Sequence, residues 1–353
     1  MEQIIRQLEQ DHTLSREQLR VLLRGQSPEL IRLLGEKALA LRQQHYGNRV
    51  YIRGLVEFTN YCKNDCYYCG IRRSNSGVCR YRLTQEEILS CCREGYALGL
   101  RSFVLQGGED PYWSAQRIAC LVENIKKQHP DCAVTLSVGE HPEEVYRLWR
   151  EAGADRYLLR HETADPVHYR LLHPKGQTWE HRMGCIQTLK ELGYQTGCGF
   201  MVGSPSQGIE QLVEDLLLLQ KLQPHMVGIG PFIPQKDTPF AAEPAGTLEQ
   251  TLLLLSIVRL LLPKVLLPAT TALGTIHPQG RELGLLAGAN VCMPNLSPGG
   301  VRKHYALYDH KLSDGAEAAE SLQTLEKRLK KIGCEMALTR GDHIQFERKQ
   351  IHV

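Results

Sequence analysis

Three thiols lie within eight residues, in the run Cys62-Lys63-Asn64-Asp65-Cys66-Tyr67-Tyr68-Cys69. As thiolates, Cys62, Cys66 and Cys69 can wrap three corners of a 4Fe-4S cube, because iron-sulfur clusters are held by cysteine sulfur. No fourth cysteine follows at ligand spacing, so one iron would be left for a ligand that is not protein. A zinc knot is the bland alternative, but such sites pair Cys-x-x-Cys with a fourth Cys or His. The other nine of the twelve cysteines have simpler explanations. Cys91 and Cys92 follow Ile88 by three and four residues and so face the core of one helix, where a thiol behaves as a small hydrophobe. Cys198 and Cys292 fall in strand candidates. Cys79, Cys120, Cys132, Cys185 and Cys334 are isolated singles. A disulfide framework is not expected of a chain that stays in a reducing compartment.

The elements that must carry this loop follow from periodicity. Residues 1–45 place Leu and Ile at helical spacing among Gln, Glu and Arg, which predicts two or three amphipathic helices. From residue 50 onward short apolar runs alternate with helical stretches. The runs are Val50–Phe58, Arg101–Leu105, Ala133–Val138, Arg156–Leu159, Gln195–Val202, His225–Ile229, Val265–Leu267 and Ala289–Cys292. Strand-helix alternation demands crossovers and a parallel sheet, and eight such units close a (β/α)8 TIM barrel. An open doubly wound sheet has the same local pattern. The cysteine loop follows the first strand, on the C-terminal face where barrel active sites collect. Thr84-Gln85-Glu86-Glu87 forms a capping box, Asp165-Pro166 an N-cap with Pro at the first helical position, and Gly153, Gly193 and Gly333 sit where helices need left-handed stops. The expected organisation is an N-terminal helical extension over 1–45, the α/β barrel over 46–312, and a C-terminal helix with a short polar tail, poor in strands, over 313–353.

Composition narrows the function. The 353 residues carry 42 Lys and Arg against 39 Asp and Glu, so the net charge is 42 − 39 = +3. That balance argues against nucleic acid or an anionic membrane as the main partner. The longest apolar stretch, Leu252–Leu262, is eleven residues with Arg259 inside it, too short to span a bilayer. The start lacks a charged-then-apolar signal layout, so a cytoplasmic location is expected.

Cys62-x3-Cys66-x2-Cys69 with Tyr68 resembles the signature of radical S-adenosylmethionine (SAM) enzymes. The likeness extends through Glu57-Phe58-Thr59-Asn60-Tyr61-Cys62, Phe103-Val104-Leu105-Gln106-Gly107-Gly108-Glu109-Asp110, Arg156-Tyr157-Leu158-Leu159-Arg160-His161-Glu162-Thr163, Gly228-Ile229-Gly230-Pro231-Phe232-Ile233-Pro234 and Pro268-Ala269-Thr270-Thr271-Ala272. Over about residues 45 to 312 the chain is similar to the HydE family, the radical SAM maturases of FeFe-hydrogenase within the biotin synthase-like group. The cysteine motif alone points to the superfamily; the later segments point to the family.

The resemblance implies one 4Fe-4S cluster on Cys62, Cys66 and Cys69, with SAM bound at the open iron. It implies that Gln106, Gly107, Gly108 and Glu109 offer backbone acceptors to the SAM amino group. It places Arg160, Glu162 and Arg182 near the methionine moiety, and Gly228, Ile229 and Gly230, with the Tyr68 backbone, near the adenine. Thr270, Thr271 and the pair Tyr305 and Tyr308 would face the substrate. The substrate so implied is a cysteine-bound iron with CO and cyanide, made by a tyrosine lyase maturase, and the other partners are a scaffold GTPase maturase and a low-potential electron donor. Simpler roles exist: an Arg–Glu set as a surface pair, Gly-Gly as a turn, the two tyrosines as a cap over the barrel mouth. Some family members carry a second cluster on Cys-x7-Cys-x2-Cys near the C-terminus, whereas here only Cys292 and Cys334 follow Cys198. Methylornithine synthase and biotin synthase share the barrel and cysteine loop, the latter disfavoured by the missing second ligand set. A non-catalytic iron-sulfur electron-transfer protein would need a fourth protein ligand.

Overall fold

The computed structural model describes residues 1–312 and 318–346. The first strand runs as Arg49–Ile52 and Gly54–Thr59, and parallel pairing continues through Ser102–Gly107, Ala133–Ser137, Arg156–Leu158, Gln195–Cys198 and Met226–Val227. The seventh strand is reduced to two bridges, Met226↔Leu266 and Pro268↔Val291. Val291–Cys292 then pairs with Tyr51 and Ile52, which returns the sheet to its start. The sheet therefore closes, and the open doubly wound alternative falls away.

Side-chain alternation sorts the first strand. Val56 and Phe58 join the apolar layer beneath the helices, Phe58 meeting Trp113 edge-on at 5.2 Å. Glu57, on the opposite face, pairs with Lys311 and accepts from Asn295 Nδ2 at 2.8 Å. Gln195–Val202, expected as one strand, breaks at Gly199 (φ +148°), and Met201–Val202 resumes as a separate pair with Gly230–Pro231. A side chain at Gly199 would put its Cβ 2.0 Å from the Gly228 carbonyl oxygen, so the break needs glycine.

The N-terminal extension is three helices, Glu2–Asp11, Arg16–Arg24 and Pro28–Tyr46. The second docks on helix Ile209–Leu222 through Arg20–Glu210 and Arg16–Glu214. The capping box at Thr84, the Asp165 cap and the left-handed Gly153, Gly193 and Gly333 are all present. Cys91, Cys92, Cys198 and Cys292 are buried among apolar side chains.

The C-terminal segment corrects the expectation of a strand-poor tail. After helix Ala318–Lys331, Glu335–Ala337 adds a parallel strand beside Arg49–Tyr51, and the turn that follows plugs the barrel floor. There Asp342 accepts from Arg156 (2.7 Å) and Gln195 (2.7 Å) and pairs with Arg340 (2.8 Å), while His343 donates its backbone N–H to Gln195. Three residues of strand are too few for periodicity to reveal, and charged residues that cap a barrel from inside resemble a solvated tail in sequence. Burial alone would raise the Asp342 carboxyl, but Arg156, Arg340 and Gln195 overcome it and hold it well below the usual carboxylate range. A depressed folded value means this stability is present above the ordinary carboxylate pKa of about 4 and is lost as pH falls below it.

Asp342→Ala strands the buried Arg156 guanidinium and is expected to cost about 3 kcal/mol. Urea unfolding at neutral pH measures the loss, which should shrink toward pH 3; a midpoint equal to wild type would remove the plug from the stability account.

Candidate functional site

The cysteine loop, residues 60–83, leaves the first strand with almost no regular structure. Its base is fixed by Thr59 Oγ1, which donates to Asp110 Oδ2 at 2.7 Å, while Arg82 grips the same carboxylate and lies over the Tyr61 ring. Asn60 donates to the carbonyls of Cys79 and His304 and accepts from Tyr81 N–H. Arg80 donates to the carbonyls of Asn60, Ile71, Arg72 and Asn75. The loop backbone then threads its neighbours: Lys63 N–H to Glu109 O (2.8 Å), Tyr67 N–H to Leu172 O (3.0 Å), Gly70 N–H to Leu307 O (2.8 Å).

This frame turns Cys62, Cys66 and Cys69 toward one rim as free, half-buried thiols. Burial pushes all three thiols up, Cys66 to about 12 despite the nearby Arg182, and Cys69 further because Cys66 and Cys62 crowd it. Among the described residues no three His, Cys, Asp or Glu side chains are close enough to hold a metal ion. A cluster takes its thiolates on separate irons, whereas a zinc knot gathers four ligands around one ion.

Gly107 and Gly108 extend the second strand under this loop. A Cβ on Gly108 would lie 2.2 Å from the Tyr61 carbonyl oxygen and 2.7 Å from Cys62 Cβ, so this glycine sets how closely strand and cysteine loop approach. Glu109 is buried, pairs with Lys63 at 3.1 Å and accepts from Glu140 N–H at 2.9 Å. Gln106 reaches the Tyr305 hydroxyl at 3.4 Å. At the end of the fourth strand Arg160 and Glu162 approach to 3.2 Å, yet Arg160 Nε and Nη2 and Glu162 Oε2 are buried without a hydrogen bond, so the pair has charge proximity and poor directionality. Gln177 Nε2 is also unpartnered, while Gln177 Oε1 accepts from Cys66 Sγ at 3.3 Å. Arg182 is committed: it grips Glu140 and donates to the Arg160 carbonyl at 2.6 Å.

Tyr68 packs in a small apolar cluster with Leu172, Met201 and Phe232, and its hydroxyl bonds His173 Nε2 at 3.1 Å. Gly228 donates to the Cys198 carbonyl, Ile229 is buried in the core, and a Cβ on Gly230 would meet Thr270 Oγ1 at 2.7 Å. Thr270 caps helix Thr271–Ile276. Thr271 lines a cavity of about 330 Å³ with Glu57, Asn295, Arg281, Met293 and Lys311. Arg281 donates to Thr271 Oγ1 at 3.3 Å. Tyr305 is fully buried with Lys311 Nζ 4.8 Å from its ring centre, and burial pushes the Tyr308 hydroxyl up to about 12. Tyr305 thus underlies the cavity region through Lys311.

Sequence reasoning missed Glu140, Gln177, Arg80 and the Glu57–Lys311 pair. Only Glu57 lay in a quoted motif; the others become meaningful when distant segments meet.

The unpartnered atoms are informative because buried polar groups are nearly always hydrogen-bonded. Donors on Arg160 and Gln177 and an acceptor on Glu162, beside three thiols, fit an iron-sulfur cluster together with a ligand that carries both a carboxylate and an amine.

Comparison with known proteins agrees. Residues 56–219 match the radical SAM superfamily. The FeFe hydrogenase maturase subunit HydE of Thermotoga maritima is 50% identical over 297 residues, covering 84% of this chain and 83% of that one. The 3-methylornithine synthase of Methanosarcina barkeri is 32% identical over 321 residues, covering 90% and 89%. A crystal structure of methylornithine synthase (PylB) superposes with a TM-score of 0.84 at 30% identity, covering 95% and 97%. With a closed barrel, three free thiols on its C-terminal face and this degree of identity, the chain belongs to the radical SAM superfamily and, within it, to the HydE family of FeFe-hydrogenase maturases.

Proposed function

We propose that this enzyme holds one 4Fe-4S cluster on Cys62, Cys66 and Cys69 and binds SAM beside it, in the service of FeFe-hydrogenase H-cluster maturation. The observation that carries the reading is the set of buried atoms without hydrogen-bond partners on Arg160, Glu162 and Gln177, the last of which bonds Cys66 of the free-thiol loop. The bound group supplies reductive cleavage of SAM to methionine and a 5′-deoxyadenosyl radical.

The chain's own residues bind, orient and exclude water. The planar guanidinium of Arg160 suits a carboxylate, and Glu162 Oε2 suits an ammonium. Arg182 acts on Arg160 by holding its backbone carbonyl, with Glu140 compensating its charge. The backbone of Gln106–Glu109 lies along the cysteine loop, where its carbonyls can accept from an amine. Gly228–Gly230 and the Tyr68 backbone form the face for the adenine. Thr270, Thr271, Tyr305 and Tyr308 belong to the far side, where the cavity takes the substrate, read as the cysteine-bound Fe(CO)2(CN) species delivered by a tyrosine lyase maturase. The product passes to a scaffold GTPase, and a low-potential donor supplies the electron. The likeness to methylornithine synthase supports a second reading, in which the product is 3-methylornithine.

Anaerobic reconstitution followed by assay of 5′-deoxyadenosine, and of hydrogenase activity in cells lacking this protein, tests the reading. Loss of FeFe-hydrogenase maturation on deletion is expected; formation of 3-methylornithine with maturation intact would transfer the enzyme to the second reading. Reconstitution should give about four irons per chain, as one cube requires, and a value near eight would refute a single cluster. Cys66→Ser should leave the barrel folded by circular dichroism and abolish 5′-deoxyadenosine production, since the loop lies outside the core. Glycine 108 allows a separate check. Gly108→Ala should displace the cysteine loop and at least halve the iron retained, roughly as loss of one buried contact would, while unfolding stays cooperative; full iron content would show that the loop yields to the added methyl.

A further inference from the structure

His161 lies between Arg160 and Glu162 and is fully buried, bonded to helix Ile209–Leu222. Its Nε2 is 3.2 Å from Asp215 Oδ1, and its Nδ1 is 3.2 Å from the Gly199 N–H. Because Gly199 can only donate, Nδ1 is the acceptor and the proton resides on Nε2, which donates to Asp215. Burial keeps the ring neutral, with its pKa lowered to about 3, and a neutral ring is what Gly199 needs. Asp215 Oδ1 also accepts from Ala164 N–H at 2.6 Å. Glu162 in turn donates its backbone N–H to the Gly199 carbonyl at 3.0 Å. Glu162 is thus bracketed: the Asp215 oxygen takes a donor from the residue before it and from the second residue after it, and Gly199 engages both His161 and Glu162.

The bracket has something to hold. Glu162 has φ +65°, a left-handed conformation costing a non-glycine residue of order 1 kcal/mol. Asp215 is itself an expensive choice for packing alone, since it is fully buried and its second oxygen has no hydrogen-bond partner. An apolar side chain would fill that space more cheaply, so the carboxyl is best explained by the two donors it gathers.

We propose that Asp215, acting through His161 and Ala164 N–H, is a positioning residue that holds Glu162 in its left-handed turn and so aims the Glu162 carboxylate at the SAM amine. This rests on the reading of Glu162 given above. The test compares Asp215→Ala, Asp215→Asn and Glu162→Ala by amide hydrogen exchange of the segment 159–166 in the purified chain, and by KM for SAM against kcat in the reconstituted enzyme. Asp215→Ala should speed exchange across the turn and raise KM for SAM about tenfold, the scale of one or two lost hydrogen bonds, with kcat changing less. Asp215→Asn retains an oxygen for both donors and should restore slow exchange and near-native KM. His161→Phe keeps the ring volume, removes both ring hydrogen bonds, carries the same expectation as Asp215→Ala, and replaces it if that variant does not fold. Should Glu162→Ala raise KM while Asp215→Ala leaves exchange and KM at wild type, the positioning role is overturned and the Glu162 reading stands. Should Glu162→Ala leave KM unchanged, the Glu162 reading fails and takes this proposal with it.

Discussion

A loop that presents three thiols to one rim must be rigid without a core of its own, and the rest of the site depends on how that is achieved. Residues 60–83 form no helix or ladder, so their backbone groups are satisfied one by one. Arg80 collects four carbonyls and Asn60 two more, and neighbouring segments take up amides at Lys63, Tyr67 and Gly70. Each bond contributes on the order of 1 kcal/mol net, but leaving a buried one unmade costs about 1–3 kcal/mol. The loop conformation is consequently steep: alternatives lose several bonds together. Gly108 sets the other boundary, because it lets the second strand run directly beneath Tyr61 and Cys62.

Charge is distributed in two tiers. On the floor, Arg156, Arg340, Asp155 and Asp342 interlock, and every carboxylate there is engaged by a guanidinium. At the mouth the pairing is graded. Arg182–Glu140 and Lys63–Glu109 are closed pairs that brace backbone, whereas Arg160 and Glu162 are close but poorly aligned. Buried ion pairs add little stability beyond what their desolvation removes. Their value here is geometric: the closed pairs fix the segments from which the unaligned pair projects.

Much of this was legible in the chain. Eight apolar runs at strand spacing, the caps at Thr84 and Asp165 and the glycine stops give the barrel because its local signals agree with its global pattern. The loop's chemistry was equally legible, since Cys62, Cys66 and Cys69 are near one another in sequence. The strand at Glu335–Ala337 was not, because a three-residue strand has no period and its partner lies some 285 residues away. Glu140, Gln177 and Asp215 were illegible for a related reason. Each acts on a residue more than thirty positions distant, and sequence distance conceals the meeting of Glu140 with Arg182, Gln177 with Cys66 and Asp215 with His161.

The break after the fifth strand connects these observations. An unbroken strand through Gly199 would turn its N–H into ordinary ladder pairing, away from His161. At φ +148° the glycine gives its N–H to His161, while its carbonyl accepts from Glu162 N–H in the parallel bridge Glu162↔Phe200. The same φ is permitted only because Gly199 has no side chain to strike the Gly228 carbonyl, on the segment assigned to the adenine face. One glycine therefore couples the fourth, fifth and sixth strand ends, which together form the side of the barrel mouth proposed to face SAM. The far wall, built from Glu57, Asn295, Thr271 and Lys311, is held by contacts of its own, Asn295 and Lys311 on Glu57 and Arg281 on Thr271. Separate contact sets of this kind would let the proposed substrate wall vary while the proposed cofactor side stays fixed, the pattern expected of a fold that supports different reactions on one radical-generating face.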